Sequence, residues 1–362
     1  MNFLETSSSL EIFGRQAQFQ QITQALARDA DLLIAGVPGS GRRTLVRRAV
    51  KEVGAKILDI DCVRATNSQR FLQLLCEGMN KTFKSAASHE VVEQWLSEEG
   101  AELFERIEKA KFKPKFVALQ EQQWLAYKLL LQLPQLVAKT IGRQMVIILH
   151  GFPHIRNWDR QGTWEAFLRK EIKHQTEVSY VLVATIGEIS SQEDLYLEIV
   201  QLTPLADEVV AAWAQEVLRK EGLTFNPRSN SLKLFLDAVQ GHIGDASSLL
   251  KRLTTLRVEK GLINSEDVEQ TIQEILSNLS TTFESLLTLL PANQAHLLEC
   301  LAIDPTEKPQ SKEYINRHYL SRGGSLQGAI AGLQNKGLIY GAELGYKIAL
   351  PLFALWLRQR LS

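Results

Sequence analysis

Over the first two hundred positions, short apolar runs alternate with amphipathic segments of helical length. DLLIAG (31–36), AKILDID (55–61), MVIILHG (145–151), VSYVLVATIG (178–187) and LEIVQLTPL (197–205) are nearly all apolar. Runs of this kind read as strands buried on both faces, as in a parallel sheet with helices packed on each side. Between them, IFGRQAQFQQITQALAR (12–28) opens on a turn and then places apolar residues at helical spacing. A second helix begins near Arg42. A long helical stretch is expected from about Ser68 to Thr140, broken at Pro114 inside the charged segment LFERIEKAKFKPKF. WEAFLRKEI (164–172) reads as a further helix.

From Asp207 the pattern changes to helices alone. DEVVAAWAQEVLRKEG, SLKLFLDAVQG and DASSLLKRLTTLRVEKG are successive amphipathic segments, with Gly222, Gly241 and Gly261 where helices should end. From about Thr281 a compact unit of three helices is followed by two short strands, LIYGAEL and GYKIALP, around a turn. That is a winged-helix pattern. The expected division is an α/β domain over 1–205 with a helical insert at about 62–140, a helical lid over 206–280, and a winged helix over 281–362.

Composition narrows the classes. The 362 residues carry 41 Lys plus Arg and 41 Asp plus Glu, so no whole-molecule field draws the chain to nucleic acid or acidic lipid. The opening MNFLETSSSLEIFGR has no basic start and long apolar run, and no stretch is long enough to span a bilayer, so the expectation is a cytoplasmic protein with no membrane partner. The three cysteines, Cys62, Cys76 and Cys300, form no CxxC pair and read as small core residues. No metal site is expected.

The chemistry concentrates in GVPGSGRRT, Gly36 to Thr44, which follows a strand and opens a helix. This is the context of a phosphate-binding loop. Gly36, Gly39 and Gly41 let the backbone fold until its N–H groups converge on an anion, and Pro38 and Ser40 complete the turn. Two positions depart from the working motif. Arg42 stands where a lysine is usual, and Arg43 where a serine or threonine normally ligates magnesium. Slipping the loop by one residue would instead put Arg43 and Thr44 at those places. A magnesium-dependent site also needs a distant apolar strand ending in two carboxylates. The matching strand, VIILHG, ends in His150 and Gly151. Asp59 and Asp61 share one face of the second strand. At a sheet edge, away from the phosphates, they read as structural.

Taken together, IFGR, GVPGSGRRT, VIILHGF, WEAFLRKEI, VSYVLVAT and IVQLTPL resemble the archaeal-type, signal-transducing P-loop ATPases near AAA+, with an origin-recognition-like layout. QGHIGDASSLL (240–250) resembles the family's lid segment, where a small residue packs near the nucleotide. SKEYINRHYLSRGGSLQGAIAGLQNKGLIY and PLFALWLR resemble its C-terminal winged helix. The resemblance implies an α/β, AAA+-like fold with a parallel five-stranded sheet, helical lid and winged helix. It implies ATP or ADP at Gly36, Pro38, Gly39, Ser40, Gly41, Arg42, Arg43 and Thr44, a sensor-like Thr185, and Walker B positions at His150 and Gly151. The departures at Arg42, Arg43, His150 and Gly151 leave magnesium poorly bound and no catalytic residue in place.

The expected function is therefore a pseudo-ATPase switch or scaffold with a protein partner or self-association. The alternatives are an ATPase completed by a partner subunit, with Arg169 or Lys170 as a trans-acting cation, and a DNA-associated regulator. The helix SLQGAIAGLQNKG (325–337) offers DNA Gln327, Gln334, Asn335 and Lys336, preceded by Lys312, Arg317 and Arg322. Residues 291–362 hold eight Lys/Arg against five Asp/Glu, so few phosphate contacts and weak DNA binding are expected. Phe353 and Trp356 are expected in the core.

Overall fold

The computed structural model describes residues 12–115, 120–187, 197–256 and 261–361. The readings made of residues 1–11 and of the helix tail at 257–260 lie outside them.

The first part of the chain runs α1 (Gln16–Leu26), β1 (Leu32–Gly36), α2 (Arg42–Glu52), β2 (Lys56–Asp61), α3 (Ser68–Thr82), α4 (Ala86–Ser97), β3 (Phe104–Glu108), β4 (Lys111–Pro114), α5 (Gln120–Ile141), β5 (Met145–His150), α6 (Thr163–Ile172), β6 (Val178–Ala184) and β7 (Glu198–Leu202). The five expected strands form one sheet in the order β2-β5-β6-β1-β7. Every neighbouring pair in it is parallel. β1, β5 and β6 are buried at every residue, which is why their sequences lack the alternation of a half-exposed strand. α1 and α2 cover one face, where Leu45, Val46, Ala49 and Val50 of α2 pack on Ile34, Ile148 and Val181, and Arg43 and Arg47 of α2 stay toward solvent. The other face is covered by α3, α5 and α6, with Phe71, Tyr127 and Trp164 in one aromatic cluster.

The helical stretch expected from Ser68 to Thr140 with a break at Pro114 is instead interrupted by two strands. The charged segment forms the antiparallel pair β3 and β4, and Pro114 ends β4 rather than breaking a helix. Its Glu and Lys favour helix locally. Burial of Phe104 and Phe112 against Trp95, at centroid distances of 5.0 and 5.3 Å, rewards the strand alternation instead. The proline inside a helix is Pro134, in α5.

The remainder is α7 (Asp207–Lys220), β8 (Thr224–Phe225), α8 (Ser231–Val239), α9 (Ile243–Leu253), β9 (Leu262–Ile263), α10 (Ser265–Thr288), α11 (Ala292–Ile303), α12 (Lys312–Arg317), α13 (Gly324–Asn335) and α14 (Pro351–Leu361). α10 runs unbroken through residue 281, so the lid passes into the last unit within one helix. The two expected wing strands reduce to a single antiparallel bridge, Ile339 with Ile348. PLFALWLR is not part of the wing but the helix α14. Phe353 and Trp356 are buried there as expected, beside Phe283 at 5.1 and 5.6 Å. Cys62, Cys76 and Cys300 are buried and free. No helix among the described residues is long and apolar enough to cross a membrane.

Candidate functional site

Parallel pairing sets Gly36 at the end of β1 and His150 at the end of β5 on the same edge of the sheet, separated by β6. Crevices at carboxyl ends of parallel strands are where such sheets place their ligands. From Gly36 the chain turns through Pro38, Gly39, Ser40 and Gly41 into α2. Gly39 and Gly41 are left-handed, at φ 79 and 88, which side chains resist. Gly36 is needed for space, because a Cβ there would lie 2.6 Å from Ser40 Oγ. Ser40 is buried, and its hydroxyl has no hydrogen-bond partner among the described residues. The first amides of α2 have no intrahelical acceptor and point out of the helix N-terminus.

Arg42 runs beneath this loop. Its Cδ lies close under Gly36, and its guanidinium donates to the carbonyl of Ala184 at the end of β6. Burial brings its pKa down to about 10, which leaves it charged at neutral pH. No carboxylate pairs with it among the described residues. Because Arg42 takes the path under the loop, the loop keeps the unslipped register, and Arg43 rather than Thr44 stands beside the strand ends.

Arg43 lies 3.5 Å from Asp59 Oδ1 on β2. The same carboxylate takes two hydrogen bonds from Arg47, the one from Nε at 2.7 Å, and is in contact with His150 Nε2 at 2.9 Å, although that pair is not aligned as a hydrogen bond. Burial opposes the charge on Asp59, but His150 and Arg47 outweigh it and bring its pKa to about 2. β2 is indeed the edge strand, yet its position does not keep Asp59 away from the loop, because the one-turn spacing of Arg43 and Arg47 on α2 reaches over to it. Asp61 is structural in a plainer sense: its side chain accepts from Val63 N at the next turn. Gly151 has φ 63, and a Cβ there would lie 2.8 Å from Val63 Cγ2. Among the described residues, no group of His, Cys, Asp and Glu could hold a metal ion.

Thr185 donates its hydroxyl to the carbonyl of Asn335, at the end of α13. Next to it, a Cβ on Gly337 would lie 2.8 Å from Pro38 Cδ. Val37, Ile186, Tyr340 and Ala349 close this contact with a small apolar cluster. From the lid, His242 Nε2 donates to the carbonyl of Pro38 at 2.7 Å, and its Nδ1 accepts from Asp245 N at 3.1 Å. Asp245 Oδ2 in turn accepts from Leu352 N of α14 at 3.0 Å. Burial works against an imidazolium at His242, but the Asp245 carboxylate and the Pro38 carbonyl prevail, so its pKa is raised. The small residue expected in this segment is Gly244, whose Cβ would meet Gly39 at 3.1 Å. Nothing in the sequence singled out His242. Its signal is only its place beside that glycine.

Arg169 is not poised for a partner. It binds Glu165 at 2.7 Å and lies over the ring of Phe152. Of the residues offered to DNA, Gln327, Asn335 and Lys336 are exposed. Lys336 reaches Gln294 at 3.1 Å, and Arg317 pairs with Asp304 and Glu313.

The Walker-type ATPase PABY2304 of Pyrococcus abyssi superposes on the chain with a TM-score of 0.67 at 15% identity, covering 96% of both chains. The chain has the fold of a Walker-type ATPase. The Walker-type fold extends to the ORC1 protein of Aeropyrum pernix, whose structure was solved in complex with DNA. It aligns with a TM-score of 0.50 at 14% identity over 96% of this chain and 94% of that one. A family model described as a probable winged helix domain matches residues 281–359. No curated protein matches the sequence.

Proposed function

We propose that the chain is a pseudo-ATPase, a Walker-type fold used as a switch or scaffold for protein assembly that does not turn nucleotide over. The observation that carries the reading is the cluster of Arg43, Asp59, Arg47 and His150. Magnesium requires oxygen ligands in near-octahedral array, and phosphoryl transfer adds a carboxylate to activate water. Here a guanidinium stands at the metal's hydroxyl position, an imidazole at its carboxylate position, and the nearby carboxylate is engaged by cations. This donor set does not fit magnesium. It does fit a phosphate chain: the orphaned Ser40 hydroxyl, the α2 amides and Arg42 line one loop. Gly36 through Thr44 are read as that binding loop, with bound ATP or ADP supplying an anion that ties loop to lid. Thr185 and His242 report the state of the loop to the winged helix and lid through Asn335 and Asp245. The chain is read as acting in the cytoplasm through an α/β domain at 1–205, a lid at 206–280 and a winged helix at 281–362, the last two joined through α10.

Steady-state hydrolysis of magnesium–ATP by the isolated protein tests the reading. Background rates are expected, and turnover near the usual enzyme range of about 1 per second refutes it. A DNA-associated regulator is the second reading, favoured by the winged helix at 281–359. Sequence-selective binding to duplex DNA at nanomolar protein and physiological salt, lost on Gln334→Ala/Lys336→Ala, would establish it in place of the first.

A further inference from the structure

Arg42 is an oddity for a folded protein at rest. A buried cation is ordinarily paired with a carboxylate, because burial costs the charge its hydration. Among the described residues, Arg42 has only the Ala184 carbonyl. Four of its five N–H donors are therefore still available to a ligand. Beside it, the Ser40 hydroxyl is more than nine-tenths buried, faces Gly36 across the loop and has no partner. α2, eleven residues long, contributes its first-turn amides at the same point. Two independent side-chain observations and a helix N-terminus converge on an anion.

Arg43 decides which form of the anion is accepted. It is half exposed and held to Asp59 at 3.5 Å, longer than the Arg47 contact to the same carboxylate. Asp59 keeps Arg47 and His150 when Arg43 leaves, so the departure strands no buried charge. A polyphosphate with four negative charges finds two guanidinium groups here. A magnesium–polyphosphate complex brings a dication against Arg43, with no hydroxyl or free carboxylate to complete its shell. Like charges at contact distance repel, and the half exposure of Arg43 screens this only in part.

We propose that this loop binds the metal-free polyphosphate tail of a nucleoside di- or triphosphate, with Arg43 in the place of the metal, so that magnesium opposes binding instead of assisting it. The inference rests on the pseudo-ATPase reading and deepens it. The chemistry shared by free nucleotide and inorganic pyrophosphate is a chain of phosphates carrying three or four negative charges.

The test is calorimetric titration of the full chain with ADP, ATP and inorganic pyrophosphate, each in EDTA and in excess magnesium. Binding is expected in EDTA, with the apparent affinity for ADP and ATP at least tenfold weaker in magnesium. Nucleotide binding tighter than pyrophosphate assigns the source to a nucleotide; equal binding assigns it to the phosphate chain alone. Arg43→Thr is expected to lose tenfold or more in EDTA and to remove the magnesium penalty. Arg43→Lys, which keeps the charge, is expected to retain that penalty. Far-UV circular dichroism and the thermal midpoint confirm that each variant is folded. The comparison on the unmodified chain stands even if a variant is not. Affinity equal or greater in magnesium overturns the proposal, as does no binding of any of the three probes. Neither result touches the claim that the chain does not turn nucleotide over, which the hydrolysis assay tests separately.

Discussion

Replacing Asp59 with asparagine removes the one negative charge in the cluster beside the loop. Arg43 and Arg47 then face each other across an amide. The fall of Asp59 from its ordinary 3.8 to about 2 corresponds to about 2.5 kcal/mol of preference for the charged form in the fold. Arg43 and Arg47 are roughly half exposed, and water screens their share, so a figure nearer 2 kcal/mol is appropriate. A loss of about 2 kcal/mol is a fall of roughly 4–8 °C for the α/β layer. The pH dependence gives a sharper assay. Asp59 has a depressed folded pKa, so its contribution is complete above pH 3.8 and is lost as the pH falls toward about 2. Urea midpoints of the parent and Asp59→Asn should therefore draw together between pH 5 and pH 2.5 as acid removes what the substitution removed, with roughly a third of the gap left at pH 2.5. An Asn variant with an unchanged midpoint at neutral pH, or a gap between the two that does not narrow from pH 5 to pH 2.5, would refute the reasoning.

Four further outcomes are expected. Gly337→Ala puts a Cβ 2.8 Å from Pro38 at φ 70 and should cost about 1–2 kcal/mol, with faster proteolysis between the lid and α14, read by limited digestion. His242→Gln should destabilise the chain most at mildly acidic pH: the raised folded pKa means its contribution is complete below 6.5 and fades as the pH rises through the folded value, which unfolding at pH 6 and pH 9 will show. Phe353→Ala, at a fully buried ring between Phe283 and Trp356, should cost about 3–5 kcal/mol by denaturant titration. Adding Gly151→Glu to an Arg43→Thr/His150→Asp background should lower the thermal midpoint by several degrees, because φ 63 and Val63 resist a side chain there.

The strands were legible because burial on both faces leaves no polar alternation to confuse them, and the loop because glycine, strand and helix stand in a fixed order. The β3–β4 pair was not. Its charged residues favour helix locally, and only the distant Trp95 rewards Phe104 and Phe112 for alternating. The four replaced positions were visible as replacements, but not what replaced the chemistry. Asp59 reaches His150 through the pairing of β2 with β5, and Arg43 and Arg47 through the packing of α2, neighbour relations no local pattern carries. The reach of the lid and winged helix onto Pro38 and Thr185 was equally hidden, since Gly337 and His242 look like an ordinary helix end and an ordinary surface histidine.

The strand order has a consequence for how the chain is made. Both neighbours of β1, β6 at 178–184 and β7 at 198–202, lie about 150 residues downstream of it. At translation rates of about 5–20 residues per second, the five apolar residues of β1 emerge from the ribosome roughly 7–30 s before either edge can be paired. β2 waits a shorter time, for β5 at 145–150. During that interval the helices of the insert can form locally, but the loop-bearing strand has no hydrogen-bonding partner and every side chain of LLIAG is meant for burial. The nascent chain therefore has reason to need a holding factor just there, and synonymous codon changes that slow the stretch between 62 and 178 should lower soluble yield without altering a single residue.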